Sequence, residues 1–165
     1  MQLIRRLVRN DRATAAAEMA LSLPLIFALL FGAMELGNYF LSEHKVVKAV
    51  RDGARYAARQ PFNSFDESCT PSEDVVTATE NVTRTGTIAG TGEPRFADSA
   101  TMSVTGECAG TGSYVDAGIY ATSPVGTPVI TVAATVPYTT VLGQLGLSST
   151  TLTLNAQSQA AVTGI

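Results

Sequence analysis

Two kinds of side chain in this 165-residue sequence stand where they could do chemistry. Glu18 lies directly before Met19–Met34, a stretch that contains no charged residue. A carboxylate that enters a membrane or a packed helix bundle is costly unless a cation pairs with it. Cys69 and Cys108 are the two cysteines, an even pair that one disulfide would join. The sequence therefore offers charge pairing and cross-linking.

Side chains suited to catalysis or metal binding are scarce. His44 is the single histidine, and this inventory is too thin for a zinc site or a histidine-based catalytic centre. The patterns G-x-S-x-G, H-E-x-x-H, C-x-x-C and the Walker loop are absent. Asp66 with Glu67 and Glu73 with Asp74 are more plausibly solvated charges than a catalytic pair. We expect no enzyme, no metal, no cofactor and no small-molecule substrate.

The charges are divided unevenly along the chain. Residues 1–59 carry nine Lys/Arg against five Asp/Glu, whereas residues 60–165 carry two against nine. Contacts to phosphate need clustered cations, so the acidic second part is a poor ligand for nucleic acid. We therefore expect no nucleic-acid partner.

The apolar stretch is long enough to cross a membrane. Met19–Met34 spans about 24 Å as a helix, slightly less than the roughly 30 Å of hydrocarbon in a bilayer. Thr14–Leu41 spans about 42 Å and crosses it comfortably. Glu18 then lies near the inner interface, and Glu35 lies near the outer one, close enough to snorkel.

A retained anchor is favoured over a cleaved secretory signal, because small residues in an A-x-A-like pattern do not follow the apolar run. Orientation is not settled by charge, since four arginines precede the run and five Lys/Arg follow it. The acidic second part and the pairable cysteines suit an oxidising, exported setting. We expect the N-terminus to be cytoplasmic.

Helix-forming residues continue beyond the membrane segment. Residues 14–60 predict one helix of about 70 Å with a bend at Pro24. Apolar residues recur at spacings of three, four or seven, at Leu36, Phe40, Val47, Val50, Ala54 and Ala57. A second face is basic and is either a solvated surface or a partner surface; it comprises Lys48, Arg51, Arg55 and Arg59.

The remaining sequence predicts loops followed by strands. Residues 61–100 are rich in turn formers and acids, with one short helix near Asp74–Val82. Residues 101–108, 128–138 and 151–162 alternate apolar with polar side chains, which is typical of half-buried antiparallel strands. The outer half of the long helix is the natural cover for such a sheet, so the fold class is α+β.

A disulfide between Cys69 and Cys108 would cross-link the small, loop-rich region that follows the long helix. Closing a loop of about 40 residues stabilises by roughly 4 kcal/mol in the chain-entropy model. The alternative is a pair of free thiols in a cytoplasmic domain.

The segment "RRLVRNDRATAAAEMALSLPLIFALLFGAMELGNYFLSEHKVVKAVRDGARYAA" resembles the N-terminal segment of TadE-like proteins of tight-adherence pilus systems, a branch of type IV pilins and pseudopilins. The shared features are an arginine-rich leader, small residues, a glutamate, an apolar helix with proline, and the runs "MELG" and "DGARYAA". The resemblance covers residues 5–58 and continues loosely in the strands.

The resemblance implies processing by a prepilin peptidase, which leaves glutamate as the fifth residue of the mature chain. Counting back from Glu18 places the new N-terminus at Thr14 and the cut after Ala13, where the family usually has glycine. The new ammonium group would lie one helical turn from Glu18. Glu18 would then set axial register during assembly, as a buried polar residue does in a coiled coil. The alternative is that Glu18 lies at the bilayer surface, where water hydrates its carboxylate.

The domain expectation has four parts: a cytoplasmic leader peptide at 1–13, a long helix at 14–60 with its transmembrane half at 14–41, a loop-rich acidic linker region at 61–100, and a β-rich exported head at 101–165. We expect a single-pass protein of the bacterial inner membrane, with its head periplasmic or extracellular.

The expected function is that of a pseudopilin or minor pilin that initiates or stabilises a tight-adherence pilus. Its partners would be the membrane, other pilins or minor pilins, the pilus assembly machinery and the prepilin peptidase. The alternative is a single-pass envelope protein whose head binds a ligand or surface without a filament role.

Overall fold

The computed structural model describes residues 11–109, 118–121, 123, 126–144, 146 and 152–164, with side chains from residue 14 onward. Residues 1–10 of the expected leader lie outside this range. The elements in chain order are α1 (Asp11–Ala57), α2 (Glu73–Thr85), β1 (Thr101–Cys108), β2 (Pro128–Tyr138), α3 (Val141–Gln144) and β3 (Leu152–Ala161). Short 3₁₀ turns occupy Phe62–Ser64 and Gly118–Tyr120. The α+β class predicted from the sequence is confirmed.

The chain divides into two compact units, and α1 contributes to both. The first unit comprises residues 1–39 and 140–149, and the second comprises residues 40–139 and 150–165. The first therefore holds the apolar stretch of α1, which is helical on both sides of Pro24. The second holds the outer part of α1, α2 and the sheet.

The part of α1 in the second unit buries one stripe. Its buried residues recur at spacings of three and four, the period of one helix face; they are Val46, Ala49, Val50, Gly53, Ala54 and Ala57, and Ala58 directly after the helix is buried as well. The sequence grouped Leu36 and Phe40 with this stripe, but they are 55% and 50% exposed. The buried stripe thus begins later than predicted, and its members after Val50 are small.

The three strands form one antiparallel sheet in the order β1-β2-β3. Val132 of the central strand lies opposite Val104 of β1 and Ser158 of β3. Alternate β2 residues, beginning at Pro128, are buried down to Tyr138, which confirms the predicted alternation. The buried face of the sheet packs with the buried stripe of α1. Two bonds from Thr163 to the carbonyl oxygen of Ala58, at 2.7 and 3.1 Å, join the segment after β3 to the end of α1.

Helix α2 is longer than the helix expected near Asp74–Val82. It follows Ser72, carries Glu73 and Asp74 in its first turn and ends at Gly86, which adopts the left-handed conformation with φ 81°. Carboxylates in a first turn are favourable because they face the positive end of the helix dipole. The acids that the sequence assigned to solvent therefore also favour the start of this helix.

The outer part of α1 and helix α2 approach closely at Gly53. A Cβ atom at position 53 would collide with Oγ1 of Thr83, and the carbonyl oxygen of Thr79 would lie 3.4 Å away. Thr79 and Thr83 are both fully buried, and the Thr83 hydroxyl donates to that carbonyl at 2.8 Å. Gly53 is thus required by space, since its φ is not in the left-handed region.

We expect Gly53→Ala to lower the melting temperature of the full chain in detergent, although alanine is the better helix former by about 1 kcal/mol. The added methyl group forces Thr83 to move. Gly37→Ala is the matched control, because a Cβ there meets nothing within 4 Å. Thr83→Ala should restore part of the stability that Gly53→Ala removes. Equal melting temperatures for Gly53→Ala and the wild type would contradict the close contact.

Candidate processing and assembly site

The predicted processing bond joins Ala13 to Thr14. Both residues belong to α1, which begins in the described chain at Asp11, and the Thr14 side chain is exposed. The bond therefore lies within a helical part of the uncut chain. Glu18 is four residues further on, so Thr14 and Glu18 share one face of the helix.

Glu18 is the exposed carboxylate at the start of the apolar stretch. Ser22, one turn later, donates from its hydroxyl to the backbone carbonyl oxygen of Glu18 at 2.8 Å. A serine that bonds back to its own helix carries no unsatisfied polar group into an apolar environment. Within residues 14–109, the Glu18 carboxylate has no bonded partner, so an external partner or water must satisfy it.

The helix beyond Glu18 presents apolar side chains to its surroundings all round. The most apolar 18 residues of this helix contain no residue that is buried within the molecule. Leu21, Leu25 and Leu29 are 80%, 64% and 66% exposed. A surface of this size needs lipid or other helices as cover. By length and composition, α1 is able to cross a membrane.

Glu35, which the sequence placed near the outer interface, has a partner that the sequence did not reveal. Its Oε2 accepts a hydrogen bond of 3.1 Å from the backbone N–H of Leu142, 107 residues away. Leu142 belongs to α3, in the connection between β2 and β3. No local pattern predicts such a contact, because it depends on where the β2–β3 connection folds.

The two cysteines are joined. Cys69 and Cys108 form a disulfide with their Cα atoms 5.2 Å apart and a sequence separation of 39. Cys108 ends β1, so the bond attaches the loop before α2 to the end of an edge strand. Of the predicted site residues, the structure brings these two together, while Thr14 and Glu18 lie on α1.

The loop that carries Cys69 is shaped by one carboxylate. Oδ1 of Asp66 accepts from the backbone N–H groups of Ser68 and Thr70 at 2.9 and 2.7 Å. The N–H of Cys69 donates to the carbonyl oxygen of Asp66 at 2.9 Å. This folding holds Cys69, fully buried, at φ 61°, a left-handed conformation that costs an L-residue about 1–2 kcal/mol. Asp66 is thus structural rather than merely solvated.

Gly106 of β1 accommodates that loop. A Cβ at this position would collide with the carbonyl oxygen of Cys69 and lie 3.0 Å from Cδ of Pro71. The loop backbone therefore lies directly on the strand two residues before Cys108. The glycine interrupts the β-branched pattern of β1 because a backbone, not a side chain, covers it.

The basic face of α1 is exposed in the second unit. Lys48, Arg51, Arg55 and Arg59 are all exposed, as the helical spacing predicted. Beside this face an open cleft of about 420 Å³ is lined by Lys45, Lys48, Glu93, Pro94 and Arg95. Arg95 of this lining forms an ion pair with Asp52 at 2.8 Å. These observations leave both interpretations of the face, solvated surface or partner surface, in place.

Comparison with known families matches residues 13–55 to the family described as TadE-like protein. The match begins at Ala13, contains Glu18 and the whole apolar stretch, and ends in the outer part of α1. It confirms the resemblance seen in the sequence over this segment. No curated protein and no solved structure matches the chain.

We expect removal of the disulfide to cost about 2–5 kcal/mol of unfolding free energy. Two double variants also test the left-handed backbone conformation at position 69. They are Cys69→Ala with Cys108→Ala, and Cys69→Gly with Cys108→Ala. The glycine variant should be more stable by about 1 kcal/mol, because glycine adopts a positive φ without a steric penalty. Urea unfolding of the full chain in detergent measures both. A glycine variant less stable than the alanine variant would contradict the left-handed conformation at Cys69.

Proposed function

We propose that this chain is a membrane-anchored pseudopilin or minor pilin that initiates or stabilises a tight-adherence pilus through helix packing and head contacts. One observation carries the proposal. The family match falls on the helix that has a carboxylate at its start and an uncovered apolar surface along its length. Such a helix is suited first to a bilayer and then to a bundle of like helices, because both cover apolar side chains.

In this proposal the protein spans the bacterial inner membrane once, with its N-terminus cytoplasmic and its head periplasmic or extracellular. The disulfide supports an exported head, since such bonds persist in oxidising compartments. The prepilin peptidase removes residues 1–13, and other pilins, minor pilins and the assembly machinery are the partners. The work is assembly rather than catalysis.

Glu18 has a specific task in the proposed mechanism. Cleavage after Ala13 converts the peptide nitrogen of Thr14 into an ammonium group on the same helix face as Glu18. That cation can pair with its own Glu18 or with Glu18 of a neighbouring subunit. Pairing removes the cost of an isolated charge among packed helices and fixes the axial position of one helix against the next.

The head supports an accessory role. Major pilins of the systems that the sequence resembles are short and nearly all helical, whereas this chain adds a three-stranded sheet, a second helix and a disulfide. A head of this kind offers side-chain contacts at a filament tip or in an initiation complex. An envelope protein without a filament role would have no use for a cut after Ala13, so processing separates the two functions.

The first test is N-terminal sequencing of chain purified from membranes. We expect a mature N-terminus at Thr14. Ala13→Gly should preserve or increase the cut fraction, and Ala13→Asp should abolish it, because a small residue precedes the cut in this family. Full-length chain alone, at wild-type abundance and with an active peptidase, would favour the envelope-protein alternative.

The second test concerns the proposed pairing. Glu18→Gln should leave the chain inserted and folded but prevent assembly, since removing one member of a buried pair costs about 3–5 kcal/mol. Glu18→Leu should also fail, although leucine suits the membrane better, which separates pairing from insertion. Glu43→Gln is the matched control, the same change on α1 beyond the apolar stretch, and should assemble.

The measurement is pilus or subcomplex formation, scored beside the membrane level of each variant. Normal assembly by Glu18→Leu at normal abundance would show that Glu18 is only an interfacial residue.

A further inference from the structure

The bond between Glu35 and Leu142 fixes the depth at which α3 would lie in a membrane. A hydrocarbon layer of roughly 30 Å corresponds to about 20 residues of helix. With Glu18 at one boundary, the other boundary falls near residue 38, so Glu35 lies about 4–5 Å inside it. This estimate depends on helix length and is the same for either orientation of the chain. It rests on the proposed anchoring of α1.

Leu142 must lie at the same level, since its N–H is 3.1 Å from the Glu35 carboxylate. A carboxylate at the edge of hydrocarbon is stabilised by a hydrogen bond, and bonds to charged acceptors are the stronger ones. The contact therefore supplies Glu35 with a partner and draws α3 towards the bilayer. Both groups belong to the first compact unit.

The described backbone N–H groups around Leu142 are satisfied from within the molecule. The N–H of Gly143 donates to the Thr140 hydroxyl at 2.9 Å, and the N–H of Gln144 donates to the Thr140 carbonyl oxygen at 3.2 Å. The N–H of Gly146 donates to the carbonyl oxygen of Gly143 at 3.0 Å. Each described amide from Leu142 to Gly146 thus has a partner. Bonded N–H groups lower the cost of placing this backbone in an environment poor in water.

The β2–β3 connection belongs to an uncharged part of the chain. Residues 117–165, which include "TTVLGQLGLSSTT" at 139–151, contain no Asp, Glu, Lys or Arg, so the nine acids and two bases of residues 60–165 all precede residue 117. An acidic surface is repelled by anionic lipid, and a neutral apolar segment is not. Val141 and Leu142 are both half-exposed, which leaves apolar surface for a further contact.

We propose that α3, through Val141 and Leu142, inserts into the outer lipid interface and is held there by Glu35. The chain then contacts the bilayer at two places, the apolar helix and α3. The occupant of the α3 surface is the lipid interface, at the boundary between headgroups and hydrocarbon. A neighbouring protein subunit at the same place is the alternative that the experiment must separate.

The chain contains no tryptophan, so a single introduced tryptophan reports its own surroundings. The full chain is reconstituted into vesicles that contain lipids brominated either near the headgroup or near the chain ends. Leu142→Trp, with Val141→Trp as a second probe in case the first variant misfolds, should emit at shorter wavelength than a tryptophan in water. It should be quenched more strongly by the shallow bromines than by the deep ones.

Two control positions show the quenching expected in the middle of the bilayer and in water. Phe27→Trp lies near the middle of the spanning stretch and should be quenched most by the deep bromines. Ile88→Trp replaces a 60%-exposed residue of the second unit and should not be quenched by either lipid. Absence of quenching at Phe27→Trp would overturn the anchoring and this inference together. Quenching at Phe27→Trp with none at Leu142→Trp and Val141→Trp would overturn this inference alone.

A tryptophan at 142 with short-wavelength emission but no bromine quenching would mean that protein covers α3, and would also overturn the inference. The role of Glu35 is tested in the Leu142→Trp background. Glu35→Gln keeps an acceptor oxygen and should retain the shallow quenching. Glu35→Leu removes the acceptor while favouring insertion of α1, and should lose it. Unchanged quenching in Glu35→Leu would show that Glu35 does not hold α3.

Discussion

The apolar surface of α1 is unfavourable in water, and most other features of the molecule depend on how that surface is covered. Burying one large aliphatic side chain fully is worth about 1.5–3 kcal/mol, so a helix that exposes leucine on every side is driven into lipid or against other helices. Two of its polar side chains are satisfied within the molecule, whereas the exposed Glu18 carboxylate is left for an external partner or water. Ser22 bonds to its own helix, and Glu35 receives an amide from the β2–β3 connection.

The second unit solves a different problem, because it has little apolar volume with which to build a core. The outer part of α1 contributes small residues after Val50, so helix and neighbours approach closely instead of filling space with large side chains. The disulfide adds a covalent link where loop backbone covers Gly106. Small domains often depend on such cross-links, since their buried surface alone is marginal.

Features that depend on local periodicity were predictable from the sequence. Contacts between segments that are distant in the sequence were not. The alternation in residues 128–138 located β2 with the bounds that the structure shows, because a half-buried strand must alternate. The cysteine pairing followed from there being two. The Glu35 contact joins segments 107 residues apart and leaves no local signal. Asp66 was interpreted as solvated because a carboxylate that binds its own loop has the same sequence signature as a free one.

The contact between Gly53 and Thr83 also constrains how this chain can diverge. Position 53 lies within the segment that matches the family, and position 83 lies outside it. Residues in direct contact are energetically coupled, so neither site can change size without a response from the other. In an alignment of relatives that share this head, the two positions should covary: glycine at 53 with a β-branched residue at 83, and alanine or serine at 53 with a smaller partner. The residue at position 53 of the family helix would then indicate which kind of head the chain has.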